Sequence, residues 1–198
     1  RNNYVINLYP SIVNEFFKTF KSCENNSTYI IIINVSGYNS KGGYRMNFHL
    51  TAEQEMIRQT IKEFATEEVE KGALERDINK EFPMEIINKL AKLGMMGLPF
   101  PEEYGGAGAD TISFAIVVEE LSRACGSTGI TYSAHISLGG APINMFGTEK
   151  QKQKYLVPIC TGESLGAFGL TEPSAGSDAG GTKTTAVEDG NDFIINGN

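Results

Sequence analysis

Phe168-Gly-Leu-Thr-Glu-Pro-Ser-Ala-Gly-Ser177, running on into Asp178-Ala-Gly-Gly181, concentrates the residues of this chain that could do chemistry. Leu165, Ala167, Phe168 and Leu170 are small or apolar and predict a strand. Glu172-Pro173 must end it, because proline has no ladder donor and drives its neighbour to extended geometry. The residues that follow carry short side chains, hydroxyls and free amides, so the backbone can close around a ligand. Consecutive N–H groups in such a loop suit a phosphate or another anion. A plain surface turn shares this composition. No G-x-G-x-x-G follows a strand and no G-x-x-x-x-G-K-[ST] occurs, which removes the Rossmann and P-loop readings.

The order Gly169-Leu-Thr-Glu-Pro-Ser-Ala-Gly-Ser-Asp178 resembles the flavin-contacting signature of the acyl-CoA dehydrogenases. The resemblance runs from about Met46 to the last residue. Ser133-Ala-His-Ile-Ser-Leu-Gly139 and Phe146-Gly-Thr-Glu-Lys-Gln-Lys-Gln-Lys-Tyr155 are similar to the short-chain, butyryl-CoA branch. The resemblance implies an FAD-dependent oxidoreductase of fatty acid metabolism. It would convert an acyl-CoA substrate to the trans-2-enoyl-CoA and pass electrons to an electron-transferring flavoprotein, as a homo-tetramer. By the same resemblance, Phe168, Leu170 and Thr171 hold the pyrimidine side of the flavin through backbone groups and the Thr171 hydroxyl. Gly176 and Ser177 approach the pyrophosphate, and Ser177 also stands near the acyl-CoA. The helix over 127–138 is expected to floor the acyl pocket, with the bulk of Tyr132 blocking a long tail, consistent with a four-carbon substrate.

Each assignment has a plainer alternative. Phe168 and Leu170 suit ordinary core packing, and Tyr132 suits contact with another helix. Glu172, beside proline in a turn, is better read as a loop-organising acceptor than as a base. His135, among Ala134, Ile136 and Leu138, is better read as a satisfied buried histidine than as a ligand. No residue is nominated as catalytic base, since the resemblance places a glutamate in a C-terminal helical bundle absent from this chain. The 198 residues alone are therefore expected to be inactive and not to retain FAD. Two further readings stay open: a non-catalytic helical module that docks a partner, and a flavin oxidase or monooxygenase of the same superfamily.

Composition bounds these readings. A length of 198 residues with 40% hydrophobic content supports one domain, or one and a fraction, with a real core. Residues 1–45 carry five Lys/Arg and two Asp/Glu, and residues 46–198 carry twelve and twenty-two, so a basic start precedes an acidic body. An acidic body argues against nucleic acid or an anionic membrane surface as partner. Cys23, Cys125 and Cys160 show neither paired nor metal-ligand spacing, which points to a reducing, cytoplasmic setting and no structural metal.

Residues 1–45 read differently from the rest. Tyr29-Ile-Ile-Ile-Ile33 is too short to span a bilayer and lacks the flanks of a signal peptide. Lys41-Gly-Gly-Tyr-Arg-Met46 can be encoded with a purine-rich ribosome-binding string just before an ATG. Residues 1–45 are therefore expected to be a non-native leader with Met46 as the start, and peptides from 1–40 in the natively expressed protein would refute this.

The elements that position the loop come earlier in the chain. Thr51-Ala-Glu-Gln54 predicts a capping box before a helix burying Ile57, Ile61, Phe64 and Ala65, stopped near Gly72. A second helix should start at Pro83, bury Ile87, Leu90 and Ala91, and end at Gly94. Residues 95–101 read as extended and 102–108 as a flexible loop. Asp110 caps an apolar, central helix that Gly126 breaks, and 127–138 form another. Gly139, Gly140 and Pro142 interrupt it, and Thr148-Glu-Lys-Gln151 opens a last helix closed by Pro158. Strands should flank Glu188-Asp-Gly-Asn191. The fold class is α+β, with helices first and strands after about Ser164. The expected domains are a helical one over 46–162 and the start of a middle antiparallel β-domain over 163–198.

Overall fold

Thr51 opens the first helix by the reciprocal pair its spacing predicts. Its Oγ1 accepts from the Gln54 N–H at 3.2 Å, and Gln54 Oε1 accepts from the Thr51 N–H at 3.0 Å. The computed structural model describes residues 49–190 and 192–197, so the readings of a leader over 1–45 and a start at Met46 lie outside the described residues. Helix α1 (Ala52–Phe64) buries Ile61 and continues through a π turn, Ala65–Val69, which buries Ala65 and Val69. A short helix α2 (Ala73–Asn79) follows Gly72; none of its residues is buried, and its apolar Leu74 and Ile78 face solvent.

Helix α3 (Met84–Lys92) buries Ile86, Ile87 and Leu90, with Pro83 at its N-cap rather than inside its first turn. Gly94, at φ 73, ends it in the left-handed region open to glycine. Residues 95–101 are not extended throughout: Met95–Gly97 forms a 3-10 turn, and Met96, Leu98 and Phe100 point into the core. Nor is 102–108 a free loop. The Ala107, Gly108 and Ala109 N–H groups donate back to Gly97, Phe100 and Leu98 carbonyls at 3.2, 2.8 and 2.9 Å. The Tyr104 hydroxyl donates to Glu149 Oε2 at 2.9 Å, which pushes the phenol up to about 12.

Helix α4 (Thr111–Ala124) is capped by Asp110, whose Oδ1 accepts from the Ser113 N–H at 2.7 Å. Its other oxygen accepts from Gln54 Nε2 at 2.7 Å, so the caps of α1 and α4 form one network. The helix packs on α1 and on α5 (Gly126–Ala134), yet it is not buried all round, because Ile112 and Glu119 face solvent. The break before α5 falls at Cys125, in extended geometry, and Gly126 already belongs to the helix.

Gly139, Gly140 and Pro142 do not stop the chain either. A π turn, His135–Gly140, joins α5 to α6 (Ala141–Phe146), with Pro142 in the first turn of α6. Proline is tolerated there because the wider turn has already shifted the backbone pairing. A second capping box at Thr148 opens α7 (Glu149–Gln151), a π turn Lys152–Leu156 and α8 (Val157–Thr161). Pro158 sits inside α8, and Gly162 at φ 79 is the stop. The core joins Ile61, Leu90, Val117, Leu121, Tyr132 and Leu156, all without exposed surface.

β1 (Thr185–Asp189) and β2 (Asp192–Asn196) form one antiparallel hairpin, with Asp189 opposite Asp192 and Gly190 at φ 65 in the connection. The protein is α+β, a helical unit followed by a small two-stranded sheet. Among the described residues, the strand predicted over 165–170 has no partner. Its residues have strand-like sequence, but pairing makes a strand. No helix among the described residues is long and apolar enough to cross a membrane.

Candidate functional site

Glu172 organises the loop. Its main chain exchanges two hydrogen bonds of 3.0 Å with Ala175 across Pro173-Ser174. Its carboxylate then reaches forward to the start of the hairpin. Oε2 accepts from the Thr184 hydroxyl at 2.5 Å and the Thr184 N–H at 3.1 Å. Oε1 accepts from the Lys183 N–H and from Ser174 Oγ, the latter at 3.3 Å. The Thr184 hydroxyl and Lys183 amide hold the carboxyl below its ordinary pKa, as donors to an ionised acceptor do. One side chain thus closes 172–184 into a ring, and a carboxylate with four donors is spent as an acceptor. The alternative role for Glu172 describes what the structure shows.

Phe168 and Leu170 are 42% and 43% exposed, so core packing does not explain them. Thr171, Gly176 and Ser177 also face solvent. A Cβ built at Gly169 or Gly176 meets nothing within 4 Å, so the backbone at both points is open to close approach. Among the described residues, the main-chain groups of Gly169, Leu170 and Thr171 take part in no backbone hydrogen bond. The five loop residues therefore present two apolar side chains and a pair of hydroxyls on one exposed stretch.

Tyr132 is not on that surface. It has no exposed area, its ring lies 5.9 Å from that of Phe114 on α4, and its hydroxyl donates to the Met95 carbonyl at 3.0 Å. The alternative of contact with another helix describes its position in the helical core.

His135, one helical turn further on, links the two regions. It is fully buried. Gly166 N–H donates to Nδ1 at 2.9 Å, so the proton sits on Nε2, which donates to the Met96 carbonyl at 3.1 Å. Burial holds its pKa below the ordinary value, against the opposing pull of the Met96 and Ile159 carbonyls. Beside it, a Cβ on Gly139 would stand 2.6 Å from the Gly166 Cα, so the two backbones touch. The sequence reading found a satisfied histidine here but not its partners; a histidine followed by glycines at 139 and 166 is the signal that was available.

A helical unit thus feeds an exposed, small-residue loop and then a two-stranded hairpin, an α+β arrangement. Residues 51–163 match the acyl-CoA dehydrogenase, N-terminal domain family, and the chain belongs to it. It is 55% identical over 152 residues to the short-chain specific acyl-CoA dehydrogenase of Clostridium acetobutylicum, covering 77% of this chain and 40% of that protein. The butyryl-CoA dehydrogenase of Megasphaera elsdenii superposes with a TM-score of 0.73 at 42% identity, covering 77% of this chain and 41% of that one. An acyl-CoA dehydrogenase from Bacillus anthracis, complexed with FAD, superposes with a TM-score of 0.70 at 41% identity, over 75% of this chain and 26% of that one. The chain spans about 40% of the length of the curated relatives it matches.

Proposed function

We propose that this chain supplies the helical wall and the flavin-facing loop of an FAD-dependent short-chain acyl-CoA dehydrogenase acting on butyryl-CoA-like thioesters. The observation that carries the reading is the exposed stretch 168–177, whose open glycines at 169 and 176, and main chain at 169–171 in no backbone hydrogen bond among the described residues, suit close approach of a flat heterocycle and a phosphate. Bound FAD would accept a hydride from the β-carbon of the acyl-CoA. Phe168 and Leu170 bind through their main chains while their side chains shield the ring edge from water. Thr171 adds a hydroxyl donor, and Gly176 and Ser177 let the backbone approach the pyrophosphate.

Glu172 is no base in this scheme, because its lone pairs are already taken by Lys183, Ser174 and Thr184. Tyr132 acts on chain-length preference only through the Met95–Gly97 turn that its hydroxyl holds. The domain division at about residue 162, a homo-tetramer, and electron transfer to an electron-transferring flavoprotein belong to the same proposal. Free thiols at Cys125 and Cys160 support a reducing, cytoplasmic setting.

The test is titration of the isotopically labelled chain with FAD, followed by desalting. Amide shifts concentrated at Leu170, Thr171, Gly176 and Ser177, with colourless protein after desalting, are expected. Shifts scattered over the helical unit, or none, would overturn the flavin site. A stoichiometric flavin spectrum that bleaches with butyryl-CoA would overturn the expectation that these residues are inactive alone.

A further inference from the structure

We propose that His135 is the positioning residue of the 166–177 segment: a neutral imidazole that fixes the Gly166 amide against the helical core and so sets how 168–171 are presented. The consequence for flavin rests on the functional reading above; the pin itself rests on geometry.

Both ring nitrogens are committed in one sense only. Nδ1 must be unprotonated to accept from Gly166, so Nε2 carries the hydrogen and donates to Met96. Met96 lies in the turn between α3 and the 102–108 segment and is itself fully buried. The imidazole is therefore a rigid spacer between a core carbonyl and a main-chain donor two residues before Phe168. An imidazolium could not take this place, since its Nδ1 would be a second donor facing the Gly166 N–H. Burial keeps the ring neutral, and the Gly139–Gly166 backbone contact sets the spacing that brings the amide within reach.

Neighbouring anchors flank this bond: Leu165 packs against the helical core, Ser164 N–H donates to the Pro158 carbonyl at 2.9 Å, and the Glu172 ring lies further along the chain. Among the described residues no strand pairs with 165–170. The peptide plane at Gly166 is thus fixed by a side chain from the helical unit.

The experiment uses the labelled full chain and three variants. In His135→Asn, Oδ1 stands near the place of Nδ1; in His135→Gln, the amide reaches the Nε2 place; His135→Phe keeps the volume and removes both bonds. Imidazole nitrogen shifts of the Nε2–H tautomer are expected in the unsubstituted chain. Gly166 amide exchange should quicken about tenfold in the Phe variant, the loss of one buried hydrogen bond, with helical circular dichroism retained. His135→Asn should restore the protection and His135→Gln should not. If the Phe variant fails to fold, the Asn and Gln pair decides. An Nδ1–H tautomer, equal Gly166 protection in the Asn and Gln variants, or exchange unchanged in the Phe variant overturns the proposal. An Asn–Gln difference at Gly166 in a chain that shows no FAD-induced shifts supports the pin and counts against the flavin reading alone.

Discussion

The two regions of this molecule are held by different forces. Residues 51–162 bury continuous apolar stripes from α1, α3, α4 and α5 around Ile61, Leu90, Val117 and Leu121. Residues 163–197 bury almost nothing: every residue of β1 is exposed, Val187 and Ile194 face solvent, and only Ala175 is buried in the loop. What shapes the second region is polar and directional, the His135–Gly166 bond at one end and the Glu172 ring at the other. Hydrophobic burial is strong and tolerant of direction, whereas hydrogen bonds contribute less but fix orientation. Under the proposed function, a loop presenting backbone groups to a ligand would need the second kind of restraint.

The largest expected effect comes from cutting the core. Leu90→Ala removes a fully buried side chain of α3 and should destabilise the helical unit by about 2–5 kcal/mol. Chemical unfolding followed by circular dichroism measures this. A loss below about 1 kcal/mol would mean that the helical region is loosely packed and that the contrast fails.

Gly139→Ala tests the junction. The added methyl would meet the Gly166 backbone at 2.6 Å, and backbone cannot rotate away as a side chain can. Overpacking of this kind destabilises by about 1–3 kcal/mol. Amide exchange should quicken at Gly166 before it does in α4. Uniform exchange in both places would show that the regions do not separate.

A change of pH acts on the same junction from the other side. His135 has a folded pKa below its ordinary value, so the unfolded chain binds the proton more readily. Its contribution to stability is complete above the unfolded value, near 6.5, and drains away as the pH falls through that value toward the folded one. As the pH falls from 7.5 to 5.5 the unsubstituted protein should lose more stability than His135→Asn does. Parallel pH profiles for the two proteins would contradict a neutral, buried imidazole.

Glu172→Gln should leave thermal unfolding of the helices unmoved while exchange at Lys183 and Thr184 rises. Loss of helical stability in this variant would tie the loop to the core more closely than the contacts indicate. The smallest effect on stability is expected for Phe168→Ala, within about 0.5 kcal/mol of zero, because the ring is already 42% exposed. A larger loss would place Phe168 in a packed cluster and restore the reading of it as a core residue.

Local chemistry was legible in the sequence wherever a short spacing decides the structure. Thr51 with Gln54 and Thr148 with Gln151 are capping boxes in both accounts, because residues three apart satisfy each other's backbone without outside help. Asp110 as a cap, the Ile61 and Leu90 stripes, the turn before Asp192 and the acceptor role of Glu172 follow from equally local rules. The loop after Pro173 was legible as a run of small and hydroxyl residues.

Tertiary structure decided the rest. Gly139, Gly140 and Pro142 read as breakers, yet a π turn carries the helix through them, with Gly139 placed so that Gly166 can touch it. The 165–170 stretch reads as a strand but has no partner among the described residues, and pairing is a property of two segments. Tyr132 and His135 share one helical run, and nothing in that run says that they hold the carbonyls of Met95 and Met96 or that His135 also reaches the amide of Gly166. Spacing along the chain sets local geometry; which distant backbone groups lie within 3 Å of a buried ring depends on how the helices stack, and only the folded core determines that.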